Sequence, residues 1–103
     1  VGPGEAHALW TAGELAIVDV REDDEIEITH IEGVPVIPMS EFLARIDELP
    51  EEPVALICRS GSRSGQIVDY LMATGQHDEA HNVDGGIIAW AAEGLPYEGE
   101  PPS

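Results

Sequence analysis

The chain has 103 residues, room for one folded domain with a true core and not for two. Its 21 acids against four arginines, with no lysine, give a formal net charge of −17, which argues against a nucleic-acid-binding basic face and against electrostatic attachment to an anionic membrane. No apolar run approaches the roughly 20 residues that span a bilayer, and no basic start followed by an apolar stretch reads as a secretory signal.

The spacing of Ala6, Leu9 and Trp10 predicts a short helix over 5–13, stopped by Gly13. Leu15 to Val20 is apolar and β-branched, a buried strand ending near Asp19. The acidic stretch from Arg21 to Glu27 reads as loop or short helix. Val34, Val36 and Ile37 suggest a short strand within 33–38, bounded by Pro35 and Pro38. Ser40 is placed as the N-cap of a helix whose apolar stripe is Phe42, Leu43, Ile46 and Leu49, with Pro50 ending it. Val54-Ala55-Leu56-Ile57 is the cleanest buried strand, and Cys58 follows it directly. Ile67, Val68, Leu71 and Met72 predict a helix over 62–74 with Gly75 at its C-terminal cap. Ala80 to Val83 reads as a strand, Asp84-Gly85-Gly86 as a turn, and Ile87 to Glu93 as a last helix stopped by Gly94. A Pro-rich tail over 99–103 is expected to be irregular.

Strands alternating with helices predict a single α/β domain over 1–98 with a mostly parallel sheet and right-handed crossovers. Ligand sites in such sheets lie beyond the C-terminal strand ends. Asp19, Cys58 and Asp84 all fall there, so they are expected along one edge.

Cys58 is the one cysteine, so the chain has no internal disulfide; this fits a reducing, cytoplasmic setting. A lone cysteine is most simply a small buried hydrophobe. Its surroundings argue otherwise. Arg59 and Arg63, two of the four arginines, lie in the same six-residue segment, Cys58-Arg59-Ser60-Gly61-Ser62-Arg63. Positive charge nearby favours the thiolate. Ser60, Gly61, Ser62 and Ser64 let the chain curl tightly, which aims successive backbone N–H groups at one point, and the following helix adds its positive N-terminal end. Such a nest is suited to the terminal charge of a persulfide, Cys–S–S⁻, formed when a thiolate attacks a sulfur donor. Arg59 and Arg63 are expected to attract an anionic donor such as thiosulfate.

These residues resemble the rhodanese family of sulfurtransferases. The family's active loop reads Cys-x-x-Gly-x-Arg, matched by Cys58, Gly61 and Arg63. Asp19-Val20-Arg21-Glu22, His30-Ile31-Glu32-Gly33-Val34, Val83-Asp84-Gly85-Gly86 with Trp90, and Gly94-Leu95-Pro96 look like its other signatures, in order. The resemblance covers about residues 5–98. It implies a rhodanese-like three-layer sandwich: a five-stranded, mostly parallel sheet with helices on both faces. It further implies a catalytic Cys58 cycling through a persulfide by a ping-pong route, with the backbone amides of residues 59–63 cradling the outer sulfur. Two arginines in the loop resemble the thiosulfate-using branch. No cofactor or metal is implied. The expected partners are a small anionic donor and a thiophilic acceptor or partner protein, in a monomer or weak dimer. Two departures are visible: Thr29 stands where a glycine commonly precedes the histidine, and little chain precedes Glu5 to form the usual first edge strand.

The same residues admit other readings. A cysteine phosphatase places five residues between its Cys and Arg, whereas four separate Cys58 from Arg63. A non-enzymatic sulfur carrier or sensor, passing its persulfide only to a dedicated partner, uses the same loop. The absence of lysine excludes a Walker-type phosphate loop. His77 and His81 have metal-ligand spacing but fall after the predicted helix, so a structural role is expected. Asp19 orients Arg21, faces the site or caps the turn at its strand end; Arg21 is expected to be an ion-pair former, Trp90 core and His30 structural.

Overall fold

The structure, a computed structural model, describes residues 1–102. The elements in chain order are α1 (Pro3–Thr11), β1 (Ala16–Asp19), α2 (Asp23–Ile28), β2 (Thr29–His30), two short 3₁₀ helices (Met39–Glu41 and Leu43–Glu48), β3 (Val54–Ile57), α3 (Ser62–Thr74), β4 (Ala80–Asn82), α4 (Gly86–Ala92) and β5 (Glu98–Gly99). No helix among the described residues is long and apolar enough to cross a membrane.

β1, β3 and β4 form a parallel sheet in the order β1-β3-β4, with Ala16 opposite Val54 and Val54 opposite Ala80. All four residues of β3 are buried, as a central parallel strand with both faces covered requires. Its side chains alternate between two cores. Val54 and Leu56 join Val18, Val20, Phe42, Ile67 and Leu71, under α3 and the 3₁₀ segment. Ala55 and Ile57 join Ile17, Ala6, Ile87 and Trp90, under α1 and α4. Helical layers therefore lie on both faces of the sheet, each fully buried Ile or Leu contributing roughly 1.5–3 kcal/mol.

Several expectations are corrected. The five strands do not make one sheet: β2 and β5 pair with each other, antiparallel, as a separate ribbon. The strand expected within 33–38 is reduced to one parallel bridge, Asp19 opposite Val36, because Pro35 and Pro38 have no N–H to extend the ladder. No strand precedes α1 among the described residues. The tail is not irregular throughout either. Gly99 pairs with Thr29, and the Glu100 amide donates to the Ile28 carbonyl at 2.9 Å. Ser103 lies outside the described residues.

The expected helix over 40–49 is two 3₁₀ turns with non-helical backbone at Arg45 (φ −119°, ψ 17°). Ser40 caps nothing: its hydroxyl donates to Glu22 at 2.6 Å. Of the predicted stripe, Phe42 is buried but Leu43 is 67% exposed, so an unbroken helix here has too little surface to bury. The acidic stretch does form a helix, α2, closed by a reciprocal cap between Glu22 and Glu25.

Candidate active site

Only four residues, Cys58 to Gly61, join β3 to α3. Gly61 takes a left-handed conformation (φ 96°), and a Cβ there would lie 3.2 Å from the Gly85 amide, so the tight curl calls for glycine on both counts. The loop's carbonyls are turned away from the sulfur. The Ile87 amide donates to the Cys58 carbonyl at 2.8 Å, and the Ile88 amide to the Arg59 carbonyl at 3.2 Å. Asn82 Nδ2 donates to the Gly61 carbonyl at 3.0 Å. In a trans peptide the next N–H points opposite to the carbonyl. The start of α4 and the end of β4 thus aim the amides of Arg59, Ser60 and Ser62 to the other side of the loop.

Cys58 is 1% exposed. Its Sγ lies 3.1 Å from the Gly61 amide and 3.2 Å from the Ser64 Oγ. Burial pushes the thiol pKa up, but the Ser64 hydroxyl and the amides of Ser64, Gly61 and Ser60 outweigh it, so the net direction is down. The N-terminus of α3, a 13-residue helix with no side-chain cap, adds its dipole at the same place.

The arginines are placed differently from each other. Arg63 makes two parallel bonds of 2.7 Å to the carboxylate of Glu25, so its charge is already matched and it ties α3 to α2. Those bonds, against the opposing effect of burial, hold the Glu25 carboxyl below its usual range. Arg59 is exposed and lines a shallow cavity with Arg21, Glu25, Thr29, Pro101 and Pro102. Cys58 does not line that cavity; its side chain faces the opposite core, with Phe42 and Ile67. Ser60 and Ser62 are exposed at the loop rim.

Asp19 orients Arg21 rather than facing the sulfur. It receives Arg21 Nη2 at 2.8 Å and Nε at 3.1 Å, and Arg21 Nη2 also donates to the Thr29 carbonyl at 2.8 Å, all of it buried. Thr29, where the family commonly has glycine, uses its hydroxyl to bond the Glu100 carbonyl and so anchors the C-terminal segment beside Arg59. Asp84 sits at the expected sheet edge, but its carboxylate lies 3.6 Å from the Val1 amino group, outside the loop. Trp90 is fully buried, its Nε1 donating to the Pro96 carbonyl at 2.8 Å. His30 lies 3.5 Å from Glu32. His77 receives the Glu79 amide on Nδ1 and donates from Nε2 to the Pro50 carbonyl, while His81 meets Glu79, so the two histidines do not converge. Among the described residues no three His, Cys, Asp or Glu side chains are grouped to hold a metal.

Sequence reasoning missed Glu25 and Asn82, and read Ser64 only as a small residue of the curl, not as a partner of the sulfur. A signal existed for Ser64: it shares the helical face of Ile67, Val68 and Leu71, where a polar residue needs a partner.

A family model described as the rhodanese-like domain matches residues 2–93. The chain belongs to the rhodanese-like family. It is 40% identical over 84 residues to a sulfurtransferase of Allochromatium vinosum, covering 81% of this chain and 78% of that protein. It is 37% identical over 94 residues to a probable adenylyltransferase/sulfurtransferase, MoeZ, of Mycobacterium tuberculosis, covering 85% of this chain but only 23% of that longer protein. Among solved structures it superposes on a rhodanese-related protein of Thermoplasma volcanium with a TM-score of 0.84 at 29% identity, covering 97% of each chain. It also superposes on a thiosulfate sulfurtransferase of Pseudomonas aeruginosa with a TM-score of 0.83 at 28% identity, covering 96% of this chain and 20% of that one. The rhodanese-like fold places the Cys58 loop at the C-terminal end of β3, where the Gly61 amide meets the sulfur.

Proposed function

We propose that this rhodanese-like domain is a sulfurtransferase that moves a sulfane sulfur from thiosulfate or a related anion to a thiophilic acceptor through a Cys58 persulfide. The observation that carries the reading is the Cys58 sulfur set against the Gly61 amide, with the surrounding carbonyls tied back by Ile87, Ile88 and Asn82. The Cys58 thiolate attacks the outer sulfur of thiosulfate. The S–S bond of the donor breaks, sulfite leaves with its electron pair, and the negative charge moves to the terminal sulfur of Cys–S–S⁻. That terminal sulfur takes up the amide donors of the loop. An acceptor such as cyanide then attacks it, leaves as thiocyanate, and returns Cys58 as thiolate. Ring size favours sulfur over phosphate: four residues between Cys58 and Arg63 make a cradle for one atom rather than a tetrahedral group.

The Glu25 partner of Arg63 favours one variation. With that charge matched, a free anion gains less from Arg63, and a sulfur delivered by and passed to a dedicated protein gains more.

The test is the intact mass after incubation with thiosulfate. The expected result is the addition of one sulfur atom on the wild type and none on Cys58→Ala. No addition, or equal addition on the variant, overturns the reading. Added sulfur with negligible turnover to cyanide selects the partner-dependent form. Turnover of an aryl phosphate ester in place of thiosulfate selects a phosphatase.

A further inference from the structure

Ser64 is completely buried and has a single hydroxyl hydrogen, yet two acceptors lie within its reach. Its Oγ is 3.2 Å from Cys58 Sγ and 2.5 Å from Asn82 Oδ1. The orientation of the Asn82 amide is fixed from its other end, because Nδ2 donates to the Gly61 carbonyl at 3.0 Å. Turned over, the amide would set oxygen against the Gly61 carbonyl oxygen and a nitrogen 2.5 Å from the Ser64 oxygen, shorter than N–H···O bonds run. Oδ1 therefore faces Ser64, and only the Ser64 hydroxyl can supply the hydrogen of that contact.

While the hydrogen stays on the Asn82 side, Ser64 turns a lone pair towards Cys58. That suits a neutral thiol, which donates its S–H to Oγ in a chain from Cys58 through Ser64 to Asn82. It does not suit a thiolate, since two electron-rich atoms would then face each other. We propose that Ser64 is a two-position hydroxyl for Cys58, donating to Asn82 while Cys58 is a thiol and turning its hydrogen to the sulfur when Cys58 ionises. Asn82 is a positioning residue that competes for the same hydrogen.

The competition bears on sulfur loading, and here the inference rests on the reading of Cys58 as the sulfur carrier. Turning the hydroxyl to a thiolate strips Asn82 Oδ1 of its donor. Once Sγ is bonded to a second sulfur it carries neither hydrogen nor full charge, and the hydroxyl returns to Asn82. The negative charge then resides on the terminal sulfur, served by the loop amides. Ser64 and Asn82 together make the free thiolate the less satisfied state and the persulfide the better satisfied one. The charged groups nearest this arrangement are Arg59 of the loop, Arg63 of α3 and Glu25 of α2, which holds Arg63; the substitutions below leave all three in place.

The test is the pH profile of Cys58 alkylation by iodoacetamide, which needs no sulfur donor. Ser64→Ala is expected to move the midpoint upwards and to slow alkylation about tenfold at a pH below both midpoints, while Ser64→Thr restores the wild-type profile. Asn82→Ala is expected to move the midpoint downwards when Ser64 is present, because the hydroxyl is released to the sulfur, and not to move it downwards in the Ser64→Ala background, where only the bond to the Gly61 carbonyl is lost. An unchanged profile in Ser64→Ala overturns the proposal, and that variant removes only one oxygen. An equal shift by Asn82→Ala in both backgrounds also overturns it, since the effect then passes through the Gly61 carbonyl instead. Coupled shifts without any sulfur addition from thiosulfate would remove the transfer reading and leave the hydroxyl switch standing; sulfur addition without coupled shifts would do the reverse.

Discussion

Gly86 carries the active loop from below, and replacing it tests that dependence. Its φ is 61°, and a Cβ would lie 2.5 Å from the carbonyl oxygens of both Cys58 and Arg59. Two costs follow for Gly86→Ala. The left-handed backbone costs roughly 1–2 kcal/mol for a residue with a Cβ. The contact must also open to at least 3.0 Å, a displacement of about 0.5 Å (3.0 − 2.5) against backbone that has no free rotamer. That weakens the bonds by which Ile87 and Ile88 hold the same two carbonyls, each contributing about 1 kcal/mol. The sum is about 3–4 kcal/mol out of a stability of roughly 5–15 kcal/mol. Gly94→Ala is the control: its φ is 75°, but nothing lies within 4 Å of its Cβ, so it bears the backbone cost alone. By thermal denaturation, Gly94→Ala is expected to lower Tm by about 4–16 °C and Gly86→Ala by about twice as much or more. Misplacement of the loop amides is expected to slow sulfur loading of Cys58 by about ten- to a hundredfold in Gly86→Ala at a temperature where it stays folded, and not in Gly94→Ala. Equal Tm losses in the two variants, with equal loading rates, would refute the reasoning.

Glu25→Gln removes the carboxylate that Arg63 pairs with and is expected to lower stability by about 1–2 kcal/mol, read as a Tm loss of about 4–16 °C. Because Arg63 holds the Glu25 carboxyl below its usual range, the pair's contribution is complete above the ordinary carboxylate pKa and is lost as pH falls through the lowered folded value. The Tm difference between wild type and Glu25→Gln is therefore expected to shrink on acidification and to be constant near neutrality. Trp90→Phe removes the bond to the Pro96 carbonyl and part of a fully buried ring. A loss of about 1–3 kcal/mol in denaturant unfolding is expected with Cys58 loading unchanged, since Trp90 lies in the core on the other face of β3 from the sulfur.

The elements that could be read from sequence were those whose pattern is local. β3 is four apolar residues in a row, and α3 has an apolar stripe and a C-terminal glycine; the residues alone mark both. The 3₁₀ segment was misread because Ser40 looks like a cap, and only tertiary contact with Glu22 takes its hydroxyl elsewhere. The ribbon of Thr29 and Gly99 joins residues 70 positions apart and has no periodicity to reveal it. The site divides in the same way. Cys58 and Gly61 are legible because a strand end, a glycine and a helix start are consecutive. Glu25 and Asn82 reach the loop from other elements, 38 and 21 positions from the loop residues they bond, and no spacing rule links them.

Three of the arginines have a second role that residue type alone does not show. In a chain of net charge −17, cations beside a cysteine suggest that the cations stabilise its thiolate. Yet Arg21 is held by Asp19, Arg45 by Glu41 and Glu48, and Arg63 by Glu25. Each of these charges is offset by a carboxylate within hydrogen-bond distance, and the pairs act chiefly as ties between segments. The Gly61 amide and the Ser64 hydroxyl at the sulfur are neutral dipoles. They are oriented by the sheet, by α3 and by the turn before α4, and they do not attract the surrounding acids as a bare cation would. Within about 3 Å of a buried sulfur they also lie inside the distance over which dissolved ions screen. In a strongly acidic chain these neutral donors act on the sulfur alongside the nearby arginines, provided that the backbone is fixed; Gly61, Gly86 and the Asn82 amide fix it.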